Sequence, residues 1–363
     1  MSRKLKNNLT KKHIIASAIL LALAFGFGAW FAWGRGDHGA QVDQGAEGGQ
    51  GNQGVEMKAV RDPLSGVVAS SDVLLPSLPR VYAAMIDNSV DAWPVSGVEK
   101  AFLVIEAPVE ASIPRLEAFF SAGFSVEKIG PIRSARPYFV DWANEFDALY
   151  AHVGGSNAAL DLILSTGTFD LNEFYNGSSF WRSSDRSAPH NAYTSTDLLA
   201  VAVSRAEERG RASEPLYGTW TFKDGASQDD DIVSESGVSV RFNSSLYAVD
   251  WTFDPATDTY LRSQGGKKAI SAEGVRFSAN NVAVMVTDIE VLDAVGRRSV
   301  RTVGEGKAWV LQDGRTIEAT WKKPSVSERL VFYDQAGDMI SMNAGNTWIE
   351  VVPDEGDVEV GQR

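Results

Sequence analysis

The sequence predicts an α+β protein that is anchored in a membrane by an N-terminal transmembrane helix. A flexible tether, a mixed α/β domain and an all-β domain follow the helix. An uncharged apolar run near the N-terminus predicts the anchor, an alternation of strand-length and helix-length segments predicts the first domain, and short strands between Gly, Asp and Asn predict the second. The predicted segments are 1–33 (cytoplasmic tail and anchor), 34–60 (Gly-rich linker), 61–211 (α/β domain), 212–355 (β domain) and 356–363 (acidic tail).

The composition limits the classes of function. Of the 363 residues 44% are apolar and 22% charged, which is ordinary for a globular protein. Six of the 34 basic residues lie in residues 1–36, which contain no acid, so the rest of the chain carries a net charge of −19. An acidic body of this kind is repelled by nucleic acids, and we expect no nucleic-acid partner. The absence of cysteine excludes disulfides, thiolate catalysis and Cys-ligated zinc.

The predicted anchor is the uncharged run that ends at Trp33. The 20 residues from Ile14 to Trp33 have about the length that a bilayer requires of a helix. The basic residues before this run place the N-terminus in the cytoplasm, and Trp30 suits the far interface. A cleaved signal peptide is the alternative, but its apolar region would be shorter and would end at a small-x-small site. We therefore expect single-pass anchoring in the cytoplasmic membrane, with the body outside the cytoplasm.

The first folded domain combines apolar strand-length runs with helical patterns. Pro114 is typical of a first helical position and predicts a short helix, and Pro137 predicts another. Phe139, Ala143 and Phe146 follow the helical spacing of a buried face. The predicted strands are 80–87, 100–107 and 148–153, and the predicted helices are 114–120, 137–146, 157–164 and 196–210.

The second domain is predicted to be a β-sandwich or a small barrel. Its segments are short and alternate between apolar and polar residues. Asp313-Gly314 supplies the two positive-φ positions of a type I′ turn, which predicts a hairpin over residues 307–321.

Arg133 and Arg136 lie just before the helix that begins at Pro137. A helix N-terminus carries partial positive charge, so cations there are unfavourable unless something negative is near. Two guanidiniums beside free backbone N–H groups suit a carboxylate or a phosphate, and Ser134 lies between them. The alternative is an internal network with Asp87, Glu106 or Glu110.

Two further polar segments follow along the chain. His152 precedes Gly154-Gly155-Ser156, a strand–turn–helix junction that exposes backbone N–H groups, although Ser156 is also explained as a helix cap. Residues 180–195 concentrate Arg182, Asp185, Arg186, His190 and Asn191 in a segment that is too polar for a core element. The two histidines allow a general acid/base pair, with Asp87 or Glu106 as a carboxylate partner. A zinc site would need a third protein ligand beside the two histidines, and the sequence offers none at a suitable spacing. We therefore expect no metal and no cofactor.

A set of segments recurs in one known family. These are Pro94, Ser96, Gly97, Glu106 and Arg115 with AAMIDN, KIGPIRSARPYFVDWA, YAHVGGS, FWR…DRSAPHNAY, FDPATDTYLR, NNVAVMV and GNTWIEVVP. In this order they resemble the YerB-like family of bacterial extracytoplasmic proteins. The resemblance covers about residues 62–353 and implies an extracytoplasmic protein with an α/β-type first domain and a separate C-terminal domain. Members are described as lipoproteins, but the family has no established reaction, and this chain lacks a lipobox cysteine.

We therefore expect a membrane-anchored envelope protein that binds an anionic ligand, either peptidoglycan or a phosphate-bearing polymer, in its first domain. The alternatives are a hydrolase that uses the same residues, with His152, His190 and Glu106 as catalytic candidates, and a scaffold for envelope proteins. The predicted ligand-binding residues are Arg115, Arg133, Ser134, Arg136, His152, Ser156, Arg186, His190 and Asn191.

Overall fold

The computed structural model describes residues 61–68, 78–211, 215–223, 236–242 and 244–362. In this part the chain is mostly β, with three α-helices. None of the helices it contains is long and apolar enough to cross a bilayer. The predicted anchor at 1–33 and linker at 34–60 lie outside the described residues and stay predictions.

The first half of the described chain contains seven strands and all three helices. The helices predicted to begin at residues 137, 157 and 196 are confirmed. The elements are β1 Val81–Ile86, β2 Leu103–Pro108, β3 Pro114–Ser121, α1 Pro137–Asn144, β4 Leu149–His152, α2 Asn157–Thr166, β5 Phe169–Asn172, β6 Trp181–Arg182, β7 Ala192–Tyr193 and α3 Thr196–Glu208.

The predicted helix at 114–120 is wrong, because this segment is the strand β3. Leu116 and Phe120 face one side of the sheet while Phe119 faces the other, which is the period-2 pattern of a strand buried on both faces. The proline does not distinguish the two structures, since the first position of a strand also tolerates it. Tertiary pairing with β1 and β2 therefore decided the conformation.

The second half consists of strands, as predicted. The hairpin prediction is confirmed: the two long strands β16 and β17 pair on either side of Asp313 and Gly314, whose φ values are 52° and 68°. The strands are β8 Ser236–Val240, β9 Val249–Asp254, β10 Thr259–Gln264, β11 Lys267–Lys268, β12 Ser278–Ala279, β13 Asn281–Val286, β14 Ile289–Val291, β15 Arg298–Val300, β16 Gly304–Gln312, β17 Arg315–Lys323, β18 Val331–Tyr333, β19 Thr347–Val352 and β20 Val358–Gln362.

The main sheet joins strands from both halves of the chain. Its ten strands run in the order β18-β17-β16-β13-β19-β2-β3-β1-β4-β5, with β19 parallel to both β2 and β13. The predicted sandwich or barrel for residues 212–355 alone is therefore corrected, because five of these strands extend the sheet of the first half. The smaller sheet contains β8, β9, β10, β11 and β20, with β12 paired to β10.

The main sheet is covered on both faces. One face packs against α1 and α2, through side chains such as Phe139 and Ile163. The other packs against α3 and the smaller sheet, through side chains such as Leu199 and Trp251. Because both faces are apolar, polar groups on this sheet collect at its edges and in a few buried ion pairs.

Candidate functional site

The polar segments predicted from sequence meet at one edge of the main sheet. Strands β1, β4 and β5 are parallel, and β2 has the same direction because β3 lies antiparallel between β1 and β2. Their carboxyl ends therefore share one edge, followed by Asp87, Glu110 and Gly154–Ser156. Arg115 lies at the same edge because the antiparallel β3 begins there. Ligand sites in sheets of this kind form outside the carboxyl ends of the strands.

The arginine segment, residues 133–136, is inserted between the ends of β1 and β4. The Arg133 amide donates a hydrogen bond to the Met85 carbonyl (2.8 Å), and the Val153 amide donates to the Arg133 carbonyl (3.0 Å). The Ala135 amide in turn donates to the Gly154 carbonyl (3.0 Å). Backbone pairing on both sides therefore fixes the position of the arginine segment at the edge of the sheet.

Arg136 is held by a carboxylate. Its Nε and Nη2 atoms donate to the two carboxylate oxygens of Glu110, at 2.6 and 2.8 Å. Burial alone would raise the pKa of Glu110, but the hydrogen bonds and charge of Arg136, with smaller help from Arg115, hold it below its usual value. This bidentate ion pair neutralises the positive charge of Arg136, which would otherwise be unfavourable at the start of α1.

Arg133 and His190 share Asp87. The Arg133 Nε lies 3.1 Å from the Asp87 carboxylate, and the His190 Nδ1 lies 2.7 Å from the same oxygen. The Ser89 Oγ is 3.1 Å from that same Nδ1. Arg133 Nη1 donates to the Pro189 carbonyl, while its Nη2 has no partner among the described residues. Asp87 therefore orients the guanidinium of Arg133 and the imidazole of His190, and one guanidinium nitrogen stays available.

Arg115 is the least compensated of the three arginines. It is only 6% exposed, and its one hydrogen bond within the described part of the chain goes from Nη1 to the Ser134 carbonyl (2.9 Å). None of the described carboxylates lies within ion-pair distance of it. Burial, with the charges of Arg136 and Arg133, lowers its pKa to about 10. The fold thus holds a buried cation beside two like charges.

His152 stabilises the turn that follows β4. Its side chain is fully buried, with Nδ1 2.7 Å from the Gly154 carbonyl and Nε2 2.9 Å from the Asp170 carboxylate. Gly154 has φ 58°, and a Cβ there would lie 2.8 Å from Phe174, so the turn requires glycine. Since both ring nitrogens already have partners, neither is available to a ligand in this arrangement.

Ser156 caps α2 and borders an open cleft. Its Oγ accepts a hydrogen bond from the Ala159 amide (3.3 Å). The cleft, of about 520 Å³, is lined by Ser134, Arg136, Ser156 and by Arg297 from the second half of the chain. Sequence reasoning missed Arg297, because only the docking of a distant loop brings it here.

The remaining predicted residues lie in the 180–195 loop and hold it in shape. Arg186 donates to the carbonyls of Asp91 (3.2 Å) and Pro94 (2.6 Å), and the Asn191 amide oxygen accepts from Arg182 (3.1 Å). These contacts fix the loop against the segment that follows β1. Through that loop they position His190.

Glu106 is not a partner of the clustered arginines, because it forms a different buried ion pair. Its side chain is 0% exposed, and it accepts hydrogen bonds from Arg262 Nη2 (2.7 Å) and from Asn88 Nδ2 (2.8 Å). Arg262 was missed as its partner, although it lies in the segment FDPATDTYLR that carries the family resemblance. Within the part of the chain that the structure describes, no group of three or more His, Asp or Glu residues could hold a metal ion.

Comparisons with known proteins agree with the resemblance. A family model described as the N-terminal domain of a "protein of unknown function (DUF3048)" matches residues 64–210, and the corresponding C-terminal domain model matches residues 238–349. "Putative lipoprotein YerB" of Bacillus subtilis (strain 168) is 31% identical over 299 residues, covering 82% of this chain and 87% of that protein. A crystal structure of the YerB protein from Bacillus subtilis matches with a TM-score of 0.73 and 30% identity, covering 84% of this chain and 100% of that one.

Proposed function

This chain belongs to the DUF3048 family, and we propose that it is an extracytoplasmic protein of the bacterial cell envelope that binds an anionic group at its arginine cluster. The cluster consists of Arg115, Arg133 and Arg136. The envelope location is supported by the name of the Bacillus relative, "Putative lipoprotein YerB", and by the apolar run at residues 14–33. The observation that carries the ligand proposal is Arg115, a buried guanidinium with a single hydrogen bond and without an ion pair among the described residues.

The charges around Arg115 favour an added anion. Arg136 is paired with Glu110, and Asp87 is shared between Arg133 and His190. Both nearby carboxylates are thus already engaged, while Arg115 keeps its full charge with little solvent around it. A buried charge without a partner costs several kcal/mol, of the order of 3–5 kcal/mol when a pair is broken. A bound anion would supply the missing partner through charge-assisted hydrogen bonds.

The ligand chemistry is a phosphate or a carboxylate at the surface of an envelope polymer. Ser134, Ser156 and the first turn of α2 border the cleft beside Arg136, so hydroxyl and backbone N–H groups lie near this guanidinium. A phosphate-bearing wall polymer and the stem carboxylates of peptidoglycan both carry suitable oxygens. The body is otherwise strongly acidic, which would keep such polymers away from other surfaces.

The test is equilibrium binding by the full-length chain in nanodiscs. Inorganic phosphate, acetate, intact cell walls and walls stripped of phosphate polymer are the four ligands. We expect Arg133→Gln to weaken binding about tenfold or more, since a charge-assisted hydrogen bond contributes about 1.5–3 kcal/mol. Arg241→Gln is the matched control, because Arg241 pairs with Glu359 on the surface of the smaller sheet. Equal binding by the parent and Arg133→Gln would refute the proposal. If the parent still binds walls that have been stripped of phosphate polymer, the ligand group is a carboxylate of peptidoglycan.

A second candidate function is hydrolysis, which the geometry of His190 favours. The contact of its Nδ1 with Asp87 orients the ring, and its Nε2 lies 4.0 Å from Asp91, an exposed side chain. A histidine oriented by a carboxylate is the usual general base of hydrolases. Ser89 lies near the same nitrogen as Asp87, so a serine–histidine–aspartate relay is not formed. Release of soluble fragments from cell walls that stops in His190→Gln, with binding retained, would support hydrolysis.

A further inference from the structure

A separate cavity lies between the segment that follows β1 and the smaller sheet. Its volume is about 340 Å³, and its lining includes Trp93, Leu116, Gln264, Lys267 and Phe277. This size falls in the range of small-molecule pockets, roughly 300–1,000 Å³. None of the three clustered arginines lines it, so it is distinct from the site proposed above.

The walls of the cavity are apolar and held in place. Trp93 is fixed at both ends of its ring: its Nε1 donates to Asn88 (2.7 Å), and the ring packs edge-to-face on Tyr247 with centroids 5.8 Å apart. Leu116 and Phe277 are anchored in the core beneath, at 1% and 6% exposure. A ligand would therefore meet a preformed apolar surface, which keeps the ordering cost of binding low.

One polar group that lines the cavity is the amide of Gln264, which is 8% exposed. Its Oε1 accepts a hydrogen bond from Arg262 Nη1 (2.9 Å), and since a guanidinium only donates, this contact fixes which end of the amide is oxygen. The Nε2 donor therefore points away from Arg262. It has no acceptor among the described residues, and a buried donor without a partner costs about 1–3 kcal/mol.

The charge around the cavity is positive. Lys267 and Lys268 form the exposed edge strand β11 at its lining, and neither makes an ion pair with any described residue. Arg262 is neutralised by Glu106, so it adds no demand for an anion. The two lysines therefore favour an anionic ligand.

We propose that this cavity binds a small amphipathic anion, an apolar chain or ring that ends in a carboxylate. The apolar part packs against Trp93, Leu116 and Phe277. A carboxylate oxygen accepts from Gln264 Nε2, and Lys267 and Lys268 stabilise the negative charge. Among the described residues that line this cavity, Gln264 through Nε2 and Arg262 through Nε have a buried donor without an acceptor, and Arg262 is already paired with Glu106.

The test uses the full-length chain in nanodiscs, with empty nanodiscs as the blank. The probe is 4-phenylbutyrate, compared with 4-phenylbutylamine, which has the same apolar part and the opposite charge. We expect saturable binding of the acid and weaker binding of the amine, with the preference for the acid reduced in Lys267→Gln. Binding of 4-phenylbutyrate that does not saturate, or binding of 4-phenylbutylamine as tight as that of the acid, would overturn the proposal.

Two substitutions of Gln264 separate binding from folding. Gln264→Leu removes the donor, whereas Gln264→Glu replaces the donor by an oxygen and keeps an acceptor for Arg262, so the second variant is expected to fold. Both should bind 4-phenylbutyrate about tenfold or more weakly, as the loss of one buried hydrogen bond predicts. Gln335→Leu is the control, because Gln335 bonds Glu318 in an exposed turn. Unchanged affinity in the folded Gln264→Glu variant would refute the assignment of this donor.

Discussion

Glu117 provides a direct test of how a buried acid controls the stability of this fold. It lies in β3 at 0% exposure, and neither carboxylate oxygen has a hydrogen-bond partner among the described residues. Burial, and then the charges of Glu145 and Asp141, raise its pKa well above the usual 4.5. The folded protein therefore keeps a proton that the unfolded chain releases.

The pH dependence follows from this difference in bound protons. Below pH 4.5 the side chain is protonated in both states and has no effect on stability. Above pH 4.5 ionisation stabilises the unfolded state. The free energy of unfolding therefore falls by about 1.4 kcal/mol per pH unit, until the group in the folded state ionises as well. Glu117→Gln has a similar shape and does not ionise. Its advantage over the parent should therefore grow at this rate as the pH rises from 5 to 6.

The assay is thermal unfolding of the parent and of Glu117→Gln between pH 4.5 and 7. For a body of this size about 1 kcal/mol corresponds to roughly 2 °C in Tm, so the difference should widen by about 3 °C per pH unit. Glu290→Gln is the control, because Glu290 is exposed on β14. A difference between Glu117→Gln and the parent that stays constant across this range would refute the reasoning.

Three further substitutions test the packing described above, each by chemical denaturation. Ser156→Ala removes the side-chain cap of α2 and should cost about 1 kcal/mol, and an unchanged midpoint would contradict the capping role. Arg262→Met leaves the buried Glu106 carboxylate without its cation and should cost about 3–5 kcal/mol; Glu106→Gln in the same background should recover part of this loss. Gly237→Ala places a Cβ 2.3 Å from the Trp251 carbonyl and should cost more than 1 kcal/mol, which a variant as stable as the parent would disprove.

Local patterns in the sequence were sufficient for most elements of the fold. The three α-helices and the hairpin at Asp313-Gly314 depend on caps, turn residues and periodicity within a few residues, and these local signals are readable without the fold. The segment at residues 114–120 was misassigned because it is short and apolar on both faces, so its period is ambiguous. Its neighbours β1 and β2, which the local sequence does not reveal, determine that it is a strand.

The candidate site was predictable only in part. Arg133, Ser134 and Arg136 were identified because their residue types and their position before a helix pose an electrostatic problem. Their partners were left open between a ligand and internal carboxylates. The carboxylates are present, since Glu110 pairs with Arg136 and Asp87 with Arg133, whereas the ligand stays a prediction. Spacing along a chain does not determine which charges meet, because that depends on strand order.

The sequence by itself determined the types of most elements and the cationic character of the segment at residues 129–136. Both properties are local, since they follow from the residues of one helix, one turn or one loop. Only the tertiary structure decided that β19 lies beside β2, more than 240 residues earlier in the chain, and that Arg262 pairs with Glu106. Such contacts depend on how sheet faces pack and strands order themselves, which no short stretch of sequence encodes.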